Sequence, residues 1–110
     1  MAGTAGWMAR RAMQVYPEIE PNLRATVRGI VGSEFTPKEL QTLQDRALDA
    51  VRMEDLTTLR GIGVGTPVGL TPAQKAAIDR LIQNMGTDPL GRRARDAYGE
   101  ALKSGDIRVR

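Results

Sequence analysis

Carboxylates are the side chains of this sequence that come nearest to a reactive group. Asp45 and Asp49 stand four residues apart, which places both on one face of a helix, where paired carboxylates can share a proton or begin a cation site. Two such ligands do not complete a metal site, and Arg46 and Arg52 are near enough in sequence to neutralise them. Glu54 and Asp55 fall at an expected helix end, and Glu18 and Glu20 flank Pro17 and Pro21; neither pair has a companion base or nucleophile. The composition closes most remaining routes. With Cys 0 and His 0, the chain has no thiolate, no disulfide framework, no imidazole base and no imidazole or thiolate for a metal. Ser33 and Ser104 sit in turn and cap contexts. The expectation is therefore a protein that is not an enzyme, with no catalytic residues, no cofactor and no metal.

The glycine-rich stretch from Leu56 to Thr71, LTTLRGIGVGTPVGLT, is the second candidate for chemistry. Gly61 and Gly63 begin a G-x-G-x-x-G spacing, but Thr66 occupies the third position and no strand precedes it, so a dinucleotide fingerprint is excluded. A phosphate loop is excluded as well, because no lysine occurs between Lys38 and Lys75. Leu56-x-x-Leu59-x-Gly61-Ile62-Gly63 resembles the hairpin of the helix-hairpin-helix DNA-binding motif. That resemblance covers about eight residues and implies backbone N–H groups turned toward a phosphate. Downstream the pattern departs: Gly65, Pro67, Gly69 and Pro72 postpone the next helix to Thr71. The amides of Gly61, Gly63 and Gly65 then remain as an anion nest, with Arg92, Arg93 and Arg95 as phosphate partners.

The elements that must position these residues are helical. Five segments carry apolar residues at helical spacing: residues 4–16, 21–31, a third from Thr36 to about Val51, a fourth from Thr71 to Met85, and a fifth from Asp88 to Leu102. The third opens on Thr36-Pro37-Lys38-Glu39 and the fourth on Thr71-Pro72-Ala73-Gln74, each reading as a capping box with proline at the first helical position. Gly86 is placed to stop the fourth helix in a left-handed conformation, Asp88-Pro89 opens the fifth, and Ser104-Gly105-Asp106 ends it. The fold class predicted is all-α: a compact single-domain bundle of five short helices over residues 1–110, with a Gly/Pro loop at 61–70 and a short extended C-terminal tail.

Leu, Ile, Val and Phe supply 24 of the 110 residues, and the aromatics are only Trp7, Tyr16, Phe35 and Tyr98. Such a core is thin, which points toward contacts with another protein. Charge is uneven: residues 1–32 carry four Arg against two Glu, residues 33–91 six basic against eight acidic, and residues 92–110 six basic against three acidic, for a net +3. Trp7 lies away from the Met8, Ala12, Val15, Tyr16 stripe of its helix and beside Arg10 and Arg11, the mixture typical of interface anchors. Ile107-Arg108-Val109-Arg110 alternates with period two, as a segment able to add to a neighbour's sheet edge would. No run is apolar enough to span a membrane and no secretory leader is evident, so an intracellular site of synthesis is expected.

These readings converge on a small structural or adaptor subunit of a larger assembly. Its contacts would be made by residues 1–8 and 104–110, with Trp7, Arg10, Arg11, Ile107 and Val109 as interface residues, and homo-oligomerisation is compatible with them. A phage virion component fits the profile of size and charge. A small basic nucleic-acid-binding protein using the glycine loop and a small inhibitor of an enzyme are the alternatives.

Overall fold

The computed structural model describes residues 11, 14, 17–62 and 68–110. Among them the fold is an all-α bundle of five helices: α1 (Ile19–Val31), α2 (Pro37–Ala50), α3 (Met53–Leu59), α4 (Pro72–Gln83) and α5 (Pro89–Ser104). Residues 11 and 14 are helical, and the rest of the segment expected at 4–16 lies outside the described residues.

Each helix end has a local cause. In α1, Leu23, Val27, Ile30 and Val31 turn a single apolar face inward, and Gly32, at φ 77°, ends the helix in a conformation that side chains disfavour. Buried Thr26 stays satisfied because its hydroxyl donates to the Asn22 carbonyl at 2.8 Å. Both expected capping boxes form. Thr36 Oγ1 accepts from the Glu39 amide at 3.2 Å while the Glu39 carboxylate accepts from the Thr36 amide at 3.0 Å; Thr71 and Gln74 repeat the exchange at 3.1 and 3.0 Å. Asp88 caps α5 by accepting from the Gly91 amide at 3.0 Å, and Gly105, at φ 82°, closes it.

One helix departs from the sequence expectation. Residues 53–59 form α3, where the sequence suggested the end of the preceding helix and the start of the glycine loop. Val51 and Arg52 are extended, with ψ 139° and 153°, so the chain breaks after α2 and restarts at once. Glu54 and Asp55 thus lie in the first turn of α3, where acidic side chains favour the positive helix end. Leu56 and Leu59, read as loop, are buried core residues.

The helices close around one core that includes Leu23 and Val27 of α1, Leu43 of α2, Leu59 of α3, Ile78 and Leu81 of α4 and Ala94 of α5. In the packing, α1 lies against α2, α3 and α5, and α4 lies against α2, α3 and α5. The α4–α5 turn is unusually close to the helix that follows it: an added Cβ on Gly91 would stand 2.3 Å from the Gly86 carbonyl oxygen. The C-terminal tail is held by main-chain bonds, the Leu70 amide donating to Arg108 O at 2.9 Å and the Arg110 amide donating to Leu70 O at 2.8 Å, which makes a parallel bridge between Leu70 and Val109.

Candidate partner-binding surface

Of the carboxylates that looked reactive, Glu18, Asp45 and Asp55 are engaged by arginines from other parts of the chain. Asp45 accepts from Arg24 of α1 at 3.2 Å, and Arg24 also holds Glu20 at 3.0 Å. Arg46, expected to neutralise its neighbours, instead spans to Asp88 with two bonds of 2.7 Å and donates a third, of 3.0 Å, to the Met85 carbonyl. Arg52 meets Glu54 at 3.5 Å. Glu18 accepts from Arg60 at 2.9 Å, tying the start of α1 to the end of α3. Asp55, only 4% exposed, accepts from Arg80 of α4. The described residues contain no cluster of three or more potential metal-ligating side chains.

These pairings shift proton equilibria in the direction their geometry requires. Arg46, then the Gly91 amide, hold the Asp88 carboxyl far below the usual carboxylate range. The Thr36 amide, then Arg93, lower Glu39 as well. Burial, reinforced by the neighbouring Asp79, pushes the Tyr98 phenol above its ordinary value; its hydroxyl donates to Asp79 at 2.6 Å and links α5 to α4.

The arginines singled out for phosphate are divided by the fold. Arg93 donates to Glu39 at 2.6 Å and its guanidinium lies 4.8 Å from the Phe35 ring centre. Arg95 donates to the Gly86 carbonyl at 2.6 Å. Arg92 is exposed. Gly61 lies in the turn after α3, while Gly63 and Gly65 fall outside the described residues. Within the eight-residue resemblance, Leu56, Leu59 and Ile62 are anchored in the core. Among the described residues the next helix starts at Pro72.

Of the interface candidates, Trp7 and Arg10 lie outside the described residues, and Arg11 is exposed on a helical turn. Ile107 is 2% exposed and belongs to this chain's own core, a placement the alternation of the tail does not reveal. Val109 faces outward, and Val68, which no motif singles out, is 67% exposed. The main-chain bonds of the tail to Leu70 use one of its edges within the chain itself.

A crevice of about 790 Å³ lies between the end of α1, the connection to α2, and one face of α5. Gly29, Phe35, Ala97 and Ala101 give it an apolar lining, with Val68 at its margin. Glu34, Asp96, Glu100 and Asp106 supply carboxylates along it. Glu100 has only a 4.0 Å contact with Lys103, and the other three have no ion-pair partner among the described residues. The two arginines of the crevice are already engaged, Arg93 by Glu39 and Arg108 by the Gly105 carbonyl at 2.7 Å.

No helix among the described residues is long and apolar enough to cross a membrane. No protein-family model matches this chain, and no curated protein or solved structure matches it significantly.

Proposed function

We propose that this chain is a small non-enzymatic subunit or adaptor of a larger protein assembly. The observation that carries the reading is how the fold spends its charged side chains. Arg24, Arg46, Arg80 and Arg93 each reach across to a carboxylate on or beside another helix, so the groups that might have done chemistry fasten the bundle together. Among the described residues the outward surface includes a mixed apolar and acidic crevice together with Val68 and Val109, a surface suited to another protein. A virion component of a phage is one assembly of this kind, on the same profile of size and charge.

The competing reading, nucleic-acid binding through Arg92, Arg93, Arg95 and the glycine loop, has a decisive test. Labelled duplex and single-stranded DNA are titrated into the full chain at low and physiological salt. Contacts to phosphates give a log–log salt slope of about −0.9 per phosphate neutralised on duplex DNA. The assembly reading expects binding that is weak at physiological salt and unchanged by Arg92→Ala. Tight, steeply salt-dependent binding lost in Arg92→Ala/Arg93→Ala overturns it.

A further inference from the structure

We infer that the crevice between α1 and α5 receives the N-terminal segment of a second copy of this chain, with Trp7 entering its apolar part and Arg10 meeting its carboxylates. The inference rests on the subunit reading above and names the partner.

Charge complementarity carries it. The crevice holds four carboxylates, and both of its arginines are committed to acceptors within the chain. A neighbouring cation is therefore attracted there, and carboxylates without partners beside an apolar floor favour a basic segment with an apolar anchor. Within this sequence that pattern occurs around Gly6-Trp7-Met8-Ala9-Arg10, which holds the single Trp of the chain. Gly29, Ala97 and Ala101 are small, so the floor of the crevice admits a large ring without first displacing bulky side chains. A Trp ring offers the largest apolar area of any side chain to bury there.

In this arrangement the N-terminal segment of one copy sits in the crevice of another. Arg11, next to Arg10, is exposed and does not line the crevice of its own chain. Such an arm is either exchanged reciprocally, which closes a dimer, or passed from copy to copy, which gives a ring or an open chain of subunits.

The test uses the full chain and light scattering from micromolar to millimolar concentration. The wild type is expected to rise in mass with concentration. Trp7→Ala, Arg10→Glu and the double change Asp96→Lys/Glu100→Lys are each expected to weaken association by about tenfold or more. Asp96 and Glu100 are exposed, and far-UV circular dichroism checks that each variant keeps its helices. Mixing Arg10→Glu with Asp96→Lys/Glu100→Lys must restore association, because each interface then joins either two native surfaces or two reversed ones. A wild type that stays monomeric at millimolar concentration overturns the inference, as do variants that associate normally or a mixture that does not. A monomeric wild type leaves the subunit reading standing, since that reading fails on tight DNA binding instead.

Discussion

Alanine at Gly91 and alanine at Gly99 should change stability in opposite directions, although both glycines lie in α5. In an open helix position, replacing glycine by alanine stabilises by about 0.5–1 kcal/mol, because glycine loses more backbone freedom on folding. Gly99 meets that condition, since an added Cβ would find no atom within 4 Å. At Gly91 the same Cβ would stand 2.3 Å from the Gly86 oxygen, 2.8 Å from the Gly86 carbonyl carbon and 3.1 Å from the Met85 oxygen. These are backbone atoms, so no rotamer change relieves the overlap. The Gly86 peptide is also fixed in place: its φ is 107° and its oxygen accepts from Arg95 at 2.6 Å. Relief requires the turn and α5 to separate by about 1 Å, and overpacking of this kind costs about 1–3 kcal/mol. That exceeds the propensity gain, leaving a net loss of about 1–2 kcal/mol for Gly91→Ala. In a domain of this size the midpoint of thermal unfolding falls by about 4–10 °C, whereas Gly99→Ala raises it. Thermal and urea unfolding followed by far-UV circular dichroism read both changes. A Gly91→Ala variant as stable as the wild type would refute the close approach of Gly86 to α5.

Thr71→Ala and Thr36→Ala should each lose about 1 kcal/mol, with Thr71 the costlier because its capping box is partly buried while water can reach that of Thr36; serine at either position restores most of the loss in urea unfolding. Glu39 and Asp88 titrate lower in the folded chain than unfolded, so their contribution is complete above the ordinary carboxylate range, near pH 4, and is lost as pH falls through their folded values. The unfolding midpoint should therefore drop on acidification, and Asp88→Asn should flatten that dependence. Arg80→Met should destabilise more than Asp55→Asn, since it leaves the buried carboxylate charged and without its partner, and thermal unfolding of the two variants ranks them.

The parts of the fold legible in sequence are those specified within a few residues of one another. Thr36-Pro37-Lys38-Glu39 and Thr71-Pro72-Ala73-Gln74 form the expected capping boxes because donor, acceptor and pre-set proline φ all lie within one turn. Asp88-Pro89 and Gly105 are local in the same sense. Helix α3 was not legible: seven residues give its apolar face only Leu56 and Leu59, too few for a period to emerge, and tertiary burial completes it. The partners of the charged residues were hidden for a different reason. Arg46 reaches Asp88 across 42 positions, and Arg93 reaches Glu39 across 54, so nearness along the chain misassigned Arg46 to Asp45 and Asp49. Ile107 shows the same limit in the tail. Alternation suggests an extended segment, but which side faces inward depends on where Leu70 brings its backbone.

Long-range polar contacts also bear on how a core with few aromatics fixes one arrangement of its helices. Apolar contacts among Leu, Ile, Val and Ala are non-directional, and a core with little bulk tolerates small slides of one helix past another. Hydrogen bonds from guanidinium groups are directional, and a bidentate pair fixes orientation as well as distance. Arg46 joins α2 to the cap of α5 and to the Met85 carbonyl, Arg80 joins α4 to α3, and Tyr98 joins α5 to Asp79 of α4. Each contact favours one register of the helices it joins. Arginine suits these contacts, since lysine offers a point charge in place of a planar fork. These contacts also set apart the crevice beside α5. There Glu34, Asp96 and Asp106 have no ion-pair partner among the described residues, whereas Glu18, Glu39, Asp45, Asp55 and Asp88 are each met by an arginine from another part of the chain. A basic segment arriving from outside would supply that partner.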